Sequence, residues 1–168
     1  VVRESAVGSG TGAAIWAGGC RASYLDGRNV TRVTAEEGVE ASPSFSPDGT
    51  LIAFTAQYDG NRDVYVVPVT GGVPTRLTWH PGADIVQGFT PDGSAVLFTS
   101  ARAVFTGRYT QLFTVPVKGS IEQPLKLPTA SDATYSPDGS RLAYTPISPA
   151  CTAGKHTPGG LTTTSALY

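Results

Sequence analysis

Three tetrapeptides constrain this chain more than anything else in it: Ser46-Pro47-Asp48-Gly49, Thr90-Pro91-Asp92-Gly93 and Ser136-Pro137-Asp138-Gly139. Their prolines are spaced by 44 and then 46 residues. Each tetrapeptide follows an aromatic residue (Phe45, Phe89, Tyr135) and precedes a short apolar run. The columns stay in register past the turn: Ile52, Val96 and Leu142, then Phe54, Phe98 and Tyr144, then Thr55, Thr99 and Thr145. Proline presets φ for the second position of a turn, and the Ser or Thr before it can bond back to the local backbone. Asp tolerates the bridge conformation that follows and its carboxylate accepts a nearby N–H, while Gly takes positive φ without a Cβ clash. Each copy therefore predicts strand, tight turn, strand, with a bulge at the glycine. A repeat of this length written in short strands predicts the blades of a β-propeller, an all-β fold. The turn geometry accounts for Asp48, Asp92 and Asp138, so they are not read as metal ligands or catalytic carboxylates.

The repeat divides the chain. Residues 1–14 form an irregular, Gly- and Ala-rich lead-in, and 15–147 a partial propeller. Within it, 15–34 supply the outer half of a blade, 42–78 and 86–127 two full blades, and 133–147 an inner half. Residues 148–168, with scattered Pro, Gly and Thr and no third strand, make an irregular or disordered tail. The half-unit at 15–34 is placed by register: Arg32-Val33-Thr34 stands as far before Pro47 as Arg76-Leu77-Thr78 stands before Pro91. Strands are expected over 42–45, 51–55, 63–67 and 75–78 in the first full blade. The second strand, Leu51-Ile52-Ala53-Phe54, is apolar on both faces, as suits a strand buried between neighbouring blades. No segment carries a capped helical period. Two full and two partial blades predict an incomplete arc of about three blades. An arc leaves one face of an end blade open, so Ile52 or Leu142 is expected to meet water unless another chain covers it, with self-association or marginal stability as the result.

Composition excludes several function classes. A formal net charge of −1 without a basic stripe gives nucleic-acid binding no electrostatic support. No stretch approaches the ~20 apolar residues of a membrane span, and no membrane partner is expected. Val1 to Cys20 lacks the charged start and long apolar core of a signal peptide. Cys20 and Cys151 are the only cysteines, too few for a disulfide framework or a zinc site, and read as two free thiols. Asn29-Val30-Thr31 fits a glycosylation sequon, a pattern too common to carry weight alone.

The units Phe45 to Phe54 and Val64 to Thr78 resemble the WD40-like repeats of TolB and of tricorn-type proteases. The longer run Arg76-Leu-Thr-Trp-His-Pro-Gly-Ala-Asp84, with Tyr109 to Pro116, is more similar to the tricorn branch. This resemblance covers roughly residues 24–147. It implies a piece of the N-terminal propeller of a large cytoplasmic serine protease, in which propellers govern the passage of peptides to and from a separate catalytic core. Nothing in the chain matches that core, so no catalytic residue is carried over. The resemblance implies a non-catalytic, peptide-handling segment in the cytoplasm, with a peptide or the remainder of a larger protease as partner. The alternatives are a TolB-like protein-interaction module, the periplasm as location, or a truncated reading frame without function of its own.

Candidate chemistry is sparse. A Ser–His–acid triad needs a positioned His and an activated Ser. Only His80, in a loop and expected to pack on Trp79, and His156, in the tail, are available, and no nucleophile elbow occurs. Catalytic residues and metal or cofactor ligands are therefore not assigned, and the purified chain is expected not to cleave peptides. Gly8-Ser-Gly-Thr-Gly12 lacks the strand, Lys and helix of a phosphate loop. Arg62, Arg102 and Arg108 fall in or beside hairpin loops, where they are candidates for binding peptide carboxylates against the simpler reading of solvated charge.

Overall fold

In the computed structural model, residues 19–22, 28, 30–102, 109–127, 129–147 and 166–167 are described. All regular structure among them is strand. The order is β1 (Arg21–Ala22), β2 (Thr31–Arg32), β3 (Val39–Phe45), β4 (Leu51–Gln57), β5 (Asp63–Pro68), β6 (Thr75–Arg76), β7 (Asp84–Phe89), β8 (Ala95–Ser100), β9 (Gln111–Pro116), β10 (Gln123–Pro124), β11 (Ala130–Tyr135), β12 (Leu142–Pro146) and β13 (Ala166–Leu167). They form antiparallel sheets in the orders β1-β2, β3-β4-β5-β6, β7-β8-β9-β10 and β11-β12-β13. These are the blades of an incomplete β-propeller.

The three tetrapeptides make the same turn. Gly49, Gly93 and Gly139 have φ of 71°, 69° and 72°. In the first copy, Gly49 N–H donates to the Ser46 carbonyl at 2.9 Å and Leu51 N–H to Ser46 Oγ at 2.9 Å. Asp48 Oδ1 accepts from Ser46 Oγ at 2.6 Å and from Thr50 N–H at 3.1 Å. Thr90, Asp92 and Ser94 repeat these bonds, as do Ser136, Asp138 and Ser140. The hydroxyl and backbone donors hold Asp92 and Asp138 down at about 2 and lower Asp48 likewise.

Sheets pack face to face, and the alternation of each strand decides which neighbour a side chain meets. Phe54 and Ile52 turn toward β1–β2, where Val33, Cys20 and Ala22 join Tyr65 and Val67 over them. Ala53, Val64 and Val66 turn the other way and meet Val86, Val96, Phe98 and Val115 of the next blade. Leu97 and Leu112 in turn face Leu142 and Tyr144. Ile52, Phe54, Val96 and Phe98 are fully buried, each contributing roughly 1.5–3 kcal/mol relative to exposure.

Three expectations are corrected here. Ile52 is 0 % exposed and Leu142 only 9 %. The half-blade roofs the first, and the second points back into the arc rather than off its end. The far side of the last blade is small and polar instead, with Ala143 half-buried and Thr145 exposed. The 148–168 tail is not wholly irregular, because Ala166–Leu167 pairs with β12 as Ala143↔Leu167 and Tyr144↔Ala166. That is the register of a third strand, matching Ala53↔Val66 and Phe54↔Tyr65. The rest of the tail from 148, and the lead-in 1–14, lie outside the described residues. The first strands also begin earlier than the sequence suggests, at Val39, Asp84 and Ala130. Each carries a register shift, between Ala41/Ser44, Val86/Gly88 and Ala130/Ala133. A bulge breaks strict alternation, so only the half nearest the turn is visible as a pattern.

Candidate functional site

Each first strand carries an acidic or small residue at or next to one end (Glu40, Asp84, Ala130) and ends on an aromatic beside the turn (Phe45, Phe89, Tyr135). The two ends differ in kind.

The turn-side end holds an open groove of roughly 190 Å³. Ser44 and Phe45 of β3, Gln87, Gly88 and Phe89 of β7, and Thr134 and Tyr135 of β11 line it. The bulge of β7, between Val86 and Gly88, puts Gln87 into the groove. Gln87 fills the bulge of β7 and ties two blades, since its Oε1 accepts from Ala133 N–H at 3.1 Å. β3, β7 and β11 are all edge strands of their sheets, with one backbone edge free of strand pairing among the described residues. An edge of that kind accepts an extended chain by hydrogen bonds, and side-chain recesses give it selectivity.

The other end is charged. Arg76 bridges Asp59 at 3.1 Å and Asp63 at 2.7 Å, while Arg102 bridges Asp84 and, at 3.0 Å, Glu122. The Arg102 guanidinium also lies over the Phe98 and Phe113 rings, 5.3 and 5.2 Å from their centroids. Asp84 is 0 % exposed. Its Oδ2 is taken by Arg102, and its Oδ1 has no hydrogen-bond partner among the described residues. Burial pushes the Asp84 carboxyl up, against the nearby Ser100 and Thr78 hydroxyls and Arg102. Burial raises Asp63 as well, against Arg76, and Asp84 adds to the rise. A cluster of perturbed acids is a functional-site candidate on general grounds. Here both carboxylates are buried and each pairs with an arginine of its own blade, Asp63 with Arg76 and Asp84 with Arg102, so the cluster acts as a structural clamp within each blade. The preceding junction repeats it in milder form, where Glu40 accepts from Thr34 Oγ1 at 2.8 Å and from Tyr58 Oη.

The arginines named from sequence separate. Arg62 is exposed, and its carbonyl accepts from Asp84 N–H at 2.8 Å. Arg102 is committed to the clamp. Arg108 lies outside the described residues. His80 Nδ1 accepts from Gly82 N–H at 2.9 Å, which fixes its own turn, and Trp79 is stacked by Arg76 at 5.7 Å. Cys20 has a free thiol whose pKa is pushed up to about 11 by burial and by Glu40, which makes it a poor nucleophile at neutral pH. Cys151 and His156 lie outside the described residues. Sequence reasoning missed Asp63, Asp84 and Arg76. The available signal was the repeat itself, which aligns Arg76 with Arg32 and Asp84 with Glu40.

The model of the tricorn protease N-terminal β-propeller domain family matches residues 15–168. The chain belongs to that family. Tricorn protease homolog 1 of Streptomyces coelicolor is 46 % identical over 48 residues, 29 % of this chain and 4 % of that protein. The Tol-Pal system protein TolB of Syntrophus aciditrophicus is 41 % identical over 49 residues, 29 % of this chain and 11 % of that protein. Among solved structures, TolB from Acinetobacter baumannii superposes with a TM-score of 0.62 at 27 % identity, covering 86 % of this chain and 33 % of that one. An oligogalacturonate lyase in complex with manganese shares the fold, with a TM-score of 0.56 at 18 % identity over 74 % of this chain and 34 % of that one. The chain thus spans a small part of these curated relatives and about a third of these solved structures.

Proposed function

We propose that this propeller segment of the tricorn protease N-terminal family is a non-catalytic peptide-handling module. In this reading it guides extended peptides along the edges of β3, β7 and β11 and leaves cleavage to another domain. The observation that carries the reading is the turn-side groove, where three bulged edge strands meet around Phe45, Phe89 and Tyr135. The edge groups that no side chain already holds (Val86 N–H donates to Thr55 Oγ1 and Ala133 N–H to Gln87 Oε1) bind an extended peptide without regard to its sequence, and the aromatic-walled recess takes one side chain. Within the tricorn reading the setting is cytoplasmic. The TolB relatives support a second reading, in which the same edges hold a segment of a folded protein partner and the setting is periplasmic.

Fluorescence anisotropy with labelled unstructured decapeptides tests this reading. Saturable binding is expected, weakened several-fold by Tyr135→Asp, with the peptides recovered intact by mass spectrometry. Absence of binding to any peptide pool would reject peptide handling. Turnover abolished by one Ser and one His substitution would reject the non-catalytic assignment.

A further inference from the structure

Among the described residues, two first strands have an edge N–H held by a side chain from a neighbouring sheet, and the two holds differ in kind. Val86 N–H of β7 donates to Thr55 Oγ1 of β4 at 2.9 Å. Thr55 is 2 % exposed and Val86 3 %, so this bond is closed off between sheets. Ala133 N–H of β11 donates to Gln87 Oε1 of β7 at 3.1 Å. Gln87 is half-buried and lines the turn-side groove. It occupies the bulge of β7, where Val86 pairs with Phe98 and Gly88 with Leu97, leaving Gln87 without a partner in the register. Its Nε2 reaches Thr99 Oγ1 at 3.5 Å, longer than an ordinary N–H···O bond.

The second hold has the chemistry of a peptide. A glutamine side chain ends in an amide, with the carbonyl acceptor and N–H donors of the backbone group. An extended peptide laid along a strand edge offers its carbonyls to the N–H groups of that edge. Gln87 Oε1 therefore stands where a carbonyl of such a peptide would bind. The repeat itself does not call for a glutamine there. The place four residues before each turn proline holds Pro43 in the first copy, Gln87 in the second and Ala133 in the third. No residue lining the groove carries a charge, and Phe45, Phe89, Leu97 and Tyr135 supply its apolar surface. Such a recess accepts an apolar side chain and disfavours an ionised one, which would lose its hydration without gaining a counter-ion.

We propose that Gln87 is an internal cap on the edge of β11, holding the place of a peptide carbonyl until a peptide with an apolar side chain displaces it. This rests on the peptide-handling reading of the same groove. The cap keeps Ala133 N–H satisfied while the groove is empty. It lowers peptide affinity by the strength of the bond that must be given up, and one net hydrogen bond corresponds to about two- to tenfold in an equilibrium constant. Thr55 cannot release Val86 in the same way, because its short, buried side chain is packed in place.

Fluorescence anisotropy on the full 168-residue chain is the test, with a labelled Ser/Thr decapeptide carrying one central Phe as the probe. Gln87→Leu keeps the bulk and loses the bond, Gln87→Ala loses both, and Thr55→Val removes the other hold. Each variant is first checked for the β-sheet circular dichroism of the parent. Both Gln87 variants are expected to bind about two- to tenfold more tightly than the parent, and Thr55→Val no more tightly. In NMR spectra of the isotope-labelled parent, saturating peptide is expected to shift the Gln87 side-chain amide signals together with the Ala133 N–H. A central Asp in place of Phe is expected to abolish those shifts. A gain confined to Gln87→Ala would mean that space, not the bond, limits entry. An equal gain in Thr55→Val would mean general loosening of the sheets. Unchanged affinity in both Gln87 variants would mean that peptides bind without touching the cap. Each of these, or equal binding of the Asp peptide, would overturn the proposal and leave the peptide-handling reading in place, whereas no binding by the parent or any variant would overturn both.

Discussion

At the scale of single residues, the turn glycines share a conformation but not an environment. All three have φ near +70°, which costs a non-glycine residue about 1–2 kcal/mol. Gly49→Ala meets open space, so that backbone cost is its whole expected effect. Gly139→Ala places a Cβ 2.9 Å from the Pro91 ring, which has little freedom to yield. Urea denaturation should show the larger loss at Gly139, and equal losses would refute turn stacking. The turn aspartates carry a pH effect. With folded pKa values of about 2 for Asp92 and Asp138, their stabilisation is complete above the unfolded carboxylate range near 3.9. It is lost as pH falls from there toward 2. Thermal melts between pH 5 and 2 should fall more shallowly for an Asp92→Asn, Asp138→Asn chain than for the parent.

Between elements, the Arg102–Asp84 pair links the start of β7 to the end of β8 and, through Glu122, to the β9–β10 turn. Removing one member of a buried pair strands the other, at a cost of about 3–5 kcal/mol. Arg102→Ala should therefore destabilise strongly, and Asp84→Asn in the same chain should restore part of the loss. The pH sign is opposite to that of the turns. The folded pKa of Asp84 is raised by burial, so its ionised form lowers stability above that value, and the penalty is relieved as pH falls through it. Arg102→Ala should then gain stability relative to the parent on mild acidification. A variant whose deficit stays constant from pH 8 to pH 5 would contradict this account.

For the whole molecule, three cores lie between four sheets, and only β4, β5, β8 and β9 lie between two of them. Phe98, fully buried and stacked on Phe113 at 5.6 Å, sits at the centre. Phe98→Ala should cost about 3–5 kcal/mol. Local opening follows the number of covered faces. Hydrogen exchange followed by mass spectrometry should be slowest in β4 and β8 and fastest in β1–β2 and β12–β13. Protection of β12 equal to that of β8 would refute this ordering by covered faces.

Much of this was legible in the chain because a turn is a local event. Ser46, Asp48 and Gly49 satisfy one another and their neighbours within six residues, so their spacing alone marked the repeating sheets and the columns that became the cores. The clamp was not legible. Arg76 lies 13 positions from Asp63 and Arg102 18 from Asp84; strand pairing within each sheet brings the partners together, and only the packing of one sheet on the next buries Asp84. The aromatic groove likewise joins Phe45, Phe89 and Tyr135 of three different sheets, which only the packing of blade on blade brings together. Burial of Ile52 and Leu142 was decided the same way, because a strand's sequence gives its two faces and only its neighbours determine which of them meets water.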